Sequence, residues 1–265
     1  AGMDLSTSNR YDLLAGNLLA SGIVDGSGCP GNGLNPDGSP NACGITAARE
    51  TILNWQNRYD AAILRASLLG DIPPLVIKAV IAVESQFWPA ADWTGGEIGL
   101  GQMTSLGADM VLMWNRAYAR SICVQAFGEA GCPVDYVYLD AGTQALLRGL
   151  VLQTIDVTCP VCPGGIDADK GTVAVDVLAE TLKASCSQSA QVISGATGRS
   201  PAAVMGYEDF WRFVLANYHS GAGCMLQALQ NTDDPTSWNA IAANLSPGCT
   251  SGATYIRRIE EQIKP

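Results

Sequence analysis

Histidine is all but absent: the 265-residue chain has one, His219. That excludes a histidine-rich metal centre, and Ser-His-Asp chemistry would have to run through this single ring. Basic residues are also few. Lys and Arg number 15 against 25 Asp and Glu, giving a formal net charge of −10, and the basic residues are scattered. A phosphate-binding surface needs a basic stripe, so nucleic acid is not an expected partner. Long apolar runs are missing, and none approaches the roughly 18–20 residues of a membrane span. No apolar secretory segment stands at the N-terminus and the first residue is Ala, so a mature or trimmed chain is expected. Strand signals are sparse. Residues 172–177 alternate β-branched residues with others, but they run into 178–182, where a helix fits equally well.

What is present is core material and cysteine. Hydrophobic residues make up 48% and charged residues 15%, ample for a sizeable core. The nine cysteines are Cys29, Cys43, Cys123, Cys132, Cys159, Cys162, Cys186, Cys224 and Cys249. Several lie in Gly/Pro-rich loops, which points to disulfides and an extracytoplasmic compartment. Cys29 with Cys43 and Cys224 with Cys249 are the pairs expected to close loops. A loop of about 15 residues gains roughly 3 kcal/mol in the chain-entropy model. The rival use is zinc, because Cys159 and Cys162 have ligand spacing, but one such pair is a weak signal. An odd count leaves at least one thiol free or bonded to another chain.

Helical periodicity covers most of the sequence: 5–20, 45–70, 74–87, 104–122, 138–157, 170–194, 206–219, 221–231, 234–245 and 252–263. Residues 22–44, 88–103 and 125–136 read as loops. Gly70 stops one helix and Pro73-Pro74 opens the next, where a missing N–H costs nothing. The expected architecture is predominantly all-α, a single domain with an N-terminal helical extension.

The helix at 74–87 is apolar nearly all round, and Lys78 is its only charge before Glu84. Such a helix is usually buried. At 3.6 residues per turn Glu84 shares a face with Ile77 and Val80. A carboxylate there is costly unless it is paired or opens on a cleft. It is either a helix end that has reached solvent or a carboxylic acid kept protonated by apolar surroundings. The second is how a general acid is made usable near neutral pH.

The flanking residues favour the acid. Glu84-Ser85-Gln86-Phe87-Trp88-Pro89-Ala90-Ala91 is followed by Gly99-Leu100-Gly101-Gln102-Met103. Far downstream come Asn217-Tyr218-His219-Ser220-Gly221-Ala222-Gly223 and Tyr255-Ile256-Arg257-Arg258-Ile259. Together these resemble the lytic transglycosylase family with the goose-type lysozyme-like fold. That family has a Glu-Ser-x-Phe-x-Pro-x-Ala run, a Gly-Leu-Met-Gln-type turn, an Ala-Tyr-Asn-Ala-Gly-Pro-Gly motif and a tyrosine-led closing helix. Gly101 stands where Met is usual, and His219 where Asn is. The likeness covers about 72–104 and 210–260. It implies a transglycosylase domain over 71–265, with an insertion at about 105–205 and an extension with a Cys loop over 1–70 packed on the core.

By this resemblance Glu84 is the sole catalytic carboxyl. It protonates the glycosidic oxygen of a β-1,4-linked aminosugar polymer such as peptidoglycan, then acts as a base toward the muramic 6-hydroxyl. Ser85, Gly99, Leu100, Gln102, Met103, Tyr218 and His219 form the implied substrate-binding set. Tyr218 would bond Glu84 or the sugar, unless it is a core aromatic. His219 would line the cleft, unless it is structural. Trp88 and Trp93 are candidates for sugar stacking, whereas Trp211 reads better as core. Hydrolysis by inversion would need a second carboxyl roughly 6.5–9.5 Å away. Asp92, Glu97 and Asp109 are near in sequence; Glu97 is the first choice for that role, against the plain reading of an exposed loop acid. No cofactor or metal is expected. The alternative is a non-catalytic glycan-binding or structural subunit of an extracellular assembly, a homo-oligomer among the options. The odd cysteine, the acidic surface and the long insertion would suit it.

Overall fold

Proline or asparagine opens four of the α-helices in the computed structural model, which describes residues 4–89, 91–92 and 96–263. The order begins with α1 (Asp12–Ala20), α2 (Ala42–Asn57), α3 (Asp60–Gly70) and α4 (Pro74–Glu84). A minimal hairpin follows, β1 (Ala91–Asp92) and β2 (Glu97–Ile98). Then come α5 (Ser105–Trp114), α6 (Arg116–Phe127), α7 (Ala141–Ile155) and α8 (Gly171–Thr197). The chain closes with α9 (Pro201–Val204), α10 (Tyr207–Ser220), α11 (Ala222–Asn231), α12 (Trp238–Ala243) and α13 (Ser251–Ile263). The protein is all-α, as its periodicity implied. Residues 172–177 are helical, in the first turns of α8. No helix among the described residues is long and apolar enough to cross a membrane.

The chain forms two compact units: residues 1–108 with 148–179, and 109–147 with 180–265. Residues 1–70 share a unit with the segment that carries Glu84.

In the first unit α1 packs on α2 and α3 on α4. Asn41 caps α2, its side chain accepting the Gly44 N–H at 2.9 Å. Gly44 has no alternative there, since a Cβ would stand 2.1 Å from the Gly33 carbonyl oxygen. Cys29 and Cys43 close this loop, and Cys159 bonds Cys162. The Cys159/Cys162 spacing therefore serves a bridge.

Two expectations are corrected here. The helix expected over 5–20 begins only at Asp12. Residues 5–9 instead form a strap whose backbone groups are taken by α2 side chains. Asn57 accepts the Thr7 N–H at 2.8 Å and donates to the Thr7 carbonyl at 2.9 Å. Gln56 does the same for Asn9, at 3.1 Å each way. The helix expected over 45–70 breaks at Arg58-Tyr59. The cause lies elsewhere in the chain. The buried Lys78 ammonium donates to the Leu5 carbonyl (2.6 Å), Asn57 Oδ1 (2.8 Å) and Asp60 Oδ1 (2.6 Å). The corner brings Asn57 and Asp60 to one cation. Lys78 is 3% exposed, so its three hydrogens would be stranded without these acceptors. Burial pushes the Lys78 pKa down and that of Asp60 up, in each case against the pull of the partner.

In the second unit the helix expected over 104–122 is split. Asn115 caps α6 by accepting the Tyr118 N–H at 3.2 Å, and its amide donates to the Glu180 backbone and carboxylate. α10 packs against α11, α12 and α13. The buried face of α10 includes Phe213 and Val214, and that of α13 includes Tyr255, Ile256 and Ile259. Arg212 ties the two, bonding Glu260 and Asp209 at 2.8 Å each. Cys224–Cys249 closes the loop expected for it, and Cys123 pairs with Cys132. Cys186 on α8 is the free thiol.

Removing one member of a buried ion pair typically costs 3–5 kcal/mol. Lys78→Met should therefore lower the unfolding free energy by about 3–5 kcal/mol in urea titrations. Adding Asp60→Asn should recover part of the loss, because the stranded carboxylate is then gone. Additive losses would show that the pair is not the constraint described.

Candidate functional site

Helix α4 is buried from Val76 to Val83: Ile77, Val80 and Ile81 are fully inaccessible, and Val83 is buried as well. Glu84 is its last residue and is half-buried. The apolar face thus ends in a carboxyl at the rim of the core. Ser85 caps the helix; its N–H and its hydroxyl both donate to the Ile81 carbonyl at 3.1 Å, and its side chain is buried.

The backbone then turns in an unusual way. Gln86 and Phe87 both have left-handed φ, 46° and 65°. For residues with a Cβ this conformation is costly, of order 1–3 kcal/mol each, and persists only where the surroundings enforce it. The enforcing contacts are explicit. Gln86 Oε1 accepts the Leu13 N–H at 2.9 Å, at the start of α1. The Phe87 carbonyl accepts the Trp55 indole N–H at 2.8 Å, from α2. The Phe87 ring is fully buried and tilts against Tyr11 at 5.6 Å. Trp88 stacks on Trp55 at 5.5 Å, and the Arg58 guanidinium lies 4.5 Å from the centre of the Trp55 ring. Trp88 is thus half of an aromatic pair on the first unit. Trp93 lies outside the described residues.

The Gly-Leu-Gly-Gln turn belongs to the same unit. Ile98 and Met103 exchange backbone hydrogen bonds at 3.0 and 2.9 Å, closing a loop of Gly99 to Gln102. Gly99 has φ 75°, and a Cβ there would press on Ile155 at 3.2 Å, so both conformation and space require glycine. Gln102 is also left-handed, and its amide donates back to the Gly99 carbonyl at 2.6 Å. Leu100 and Met103 are buried, Gly101 and Gln102 half-buried. In the free chain the Leu100 and Met103 side chains are core groups, and the Gln102 amide fastens its own turn. Glu97 is exposed and sits opposite Asp92 in the hairpin register.

Tyr218 and His219 stand in the other unit, on the last turn of α10. Tyr218 is half-buried. His219 stacks almost parallel on Tyr255, with ring centres 4.4 Å apart and planes 6° from parallel. Partial desolvation, and then the Arg258 charge, lower its pKa below the usual histidine value. Gly221, at φ 84°, ends α10 and lets α11 begin at once. Trp211 is buried in the core of this unit, with Tyr207 edge-on. Asp109 also belongs here, where it accepts the Tyr136 hydroxyl.

The sequence assigns no holding role to four side chains that fasten these segments: Lys78, Trp55, Gln86 and Asn217. For Lys78 there was a signal, a lone cation in an apolar helix. The others have none, because their partners are remote in sequence. No protein-family model and no curated protein matches the chain.

His219 titrates alone, so its pKa can be read directly. Proton NMR should show a midpoint below the reference of about 6.5. The unfolded chain then binds the proton more readily than the folded one. Stability from this group is therefore present above about pH 6.5 and lost as pH falls through that value toward the folded midpoint. His219→Phe should abolish this component of the acid-side loss in thermal melts. A midpoint at or above 6.5 would remove the effect.

Proposed function

We propose that the protein is a secreted peptidoglycan-cleaving lytic transglycosylase, with Glu84 as its general acid and base. The observation that carries this reading is the placement of Glu84. It ends a helix that is apolar but for Lys78, at the rim of the core, and a strained turn held from α1 and α2 follows it directly. Strain of this kind is kept where positioning matters more than stability. The resemblance in four motifs, in the right order, supplies the chemistry. Four disulfides agree with an extracytoplasmic setting.

In this mechanism the Glu84 carboxyl donates its proton to the glycosidic oxygen as the C1–O bond breaks. The muramic residue develops oxocarbenium character at C1. The carboxylate left behind takes the proton of the 6-hydroxyl as O6 bonds to C1, giving a 1,6-anhydro end. No water enters the products and Glu84 is returned protonated. This route needs no second carboxyl. It suits a chain in which Glu97 is exposed and Asp109 is engaged by Tyr136. Tyr218 and His219 are assigned to sugar binding. The non-catalytic reading loses one of its arguments. The odd thiol, Cys186, is half-buried and desolvation pushes its pKa up to about 12, which makes it a poor cross-linker between chains.

General acid–base groups typically contribute about 10²–10⁴-fold, and a sole carboxyl belongs at the upper end. Glu84→Gln should fold normally, still bind peptidoglycan and lose cleavage by about 10³–10⁴-fold. Glu97→Gln should stay close to the parent rate. Mass spectrometry of the released fragments identifies the route: anhydro ends support it, and reducing ends would favour a lysozyme with a second carboxyl. Specific glycan binding without cleavage by the parent would support the structural subunit instead.

A further inference from the structure

Helix α10 carries an amide where its neighbours are apolar. Asn217 follows Phe213, Val214, Leu215 and Ala216, and is itself 3% exposed. It stands where the motif it resembles has Ala. Facing it is α8, from the segment that the resemblance leaves unexplained. There Thr181, Ser185 and Ser189 lie at i, i+4 and i+8, all buried. The Asn217 amide nitrogen lies 3.0 Å from Gln188 Oε1, 3.1 Å from Ser189 Oγ and 3.5 Å from the Ser185 carbonyl oxygen.

Between the fully buried Leu182 and Ile193, this stretch of α8 turns the Ser185 carbonyl, the Gln188 amide oxygen and the Ser189 hydroxyl toward Asn217. An apolar residue at 217 would leave these acceptors without the amide donor. A buried amide with three acceptors in reach has one good register, because a shift leaves it unsatisfied. Its Oδ1 is buried without a hydrogen-bond partner among the described residues. Stability alone does not account for such a choice. The next two residues are Tyr218 and His219, and the stacking of His219 on Tyr255 requires the end of α10 to be held in place.

We infer that Asn217 is a positioning residue: it ties the last turn of α10 to α8 and so sets where Tyr218 and His219 stand. The extra segment, through α8, thereby becomes part of the substrate-binding apparatus. The substrate-binding half of this inference rests on the function proposed above; the positional half does not.

The test uses the full chain with Asn217→Ala, Gln188→Ala and Ser189→Ala. The single histidine reports position directly, since its ring protons are shielded by the Tyr255 ring. Asn217→Ala should move the His219 proton resonance toward that of a free imidazole, and the two α8 variants should move it the same way by less. Peptidoglycan binding should weaken about 10-fold in Asn217→Ala, as expected when two groups assigned to sugar binding are displaced. A His219 resonance unmoved in every folded variant overturns the inference, even if melting temperatures drop. A displaced resonance with peptidoglycan affinity unchanged overturns its substrate-binding half. If Asn217→Ala does not fold, the two α8 variants decide. If the parent cleaves no glycan, the transglycosylase reading fails, and the His219 resonance alone decides the positional claim.

Discussion

One buried ammonium organises the first unit. Lys78 lies inside an apolar helix, where an unpaired cation would be prohibitive, and it is reconciled with that place by three oxygens. Those oxygens come from the N-terminal strap, the end of α2 and the start of α3. Satisfying one cation thus brings three segments to one point and breaks what would otherwise be a continuous helix. It also holds α4 against the strap, and Glu84 stands six residues further along that rigid rod.

The turn after Glu84 illustrates a second constraint. Left-handed Gln86 and Phe87 are poor local choices, and glycine would be the easier residue at either position. They are held because Gln86 Oε1 and the Phe87 carbonyl each meet an N–H from another helix. The Gly99–Gln102 loop solves its problem differently, with glycine at the tightest point and an amide that bonds its own turn. Within one unit, one turn is imposed by distant partners and the other is built from its own residues. This contrast tracks how visible each was: the second can be read as a motif, whereas the strain in the first cannot.

The second unit repeats the use of polar groups inside apolar surroundings. Asn115 and Asn217 are both buried, and both direct amides at α8. Asn115 doubles as a helix cap, so its place at a helix boundary follows a local rule. Asn217 follows none. Buried polar groups of this kind cost stability when mismatched and confer a single arrangement when matched.

The sequence by itself determined the helical class, the start of α4 at Pro74, the loops closed by Cys29–Cys43 and Cys224–Cys249, and the arrival of an acid at the end of a buried helix. These follow from periodicity, from proline's missing N–H and from short-range loop closure, all of which act between near neighbours. The tertiary structure alone decided that residues 5–9 are a strap, that the helix over 45–70 breaks at Arg58, and that the segment over 104–122 forms two helices. It alone placed Glu84 in one unit and Tyr218 with His219 in the other. The physical reason is the same throughout. Each of these features depends on side chains bonding groups remote in sequence, as Lys78 does to Leu5 and Asn217 to Gln188. Periodicity records which face of a helix is apolar and carries no information about which distant polar atom that face must meet.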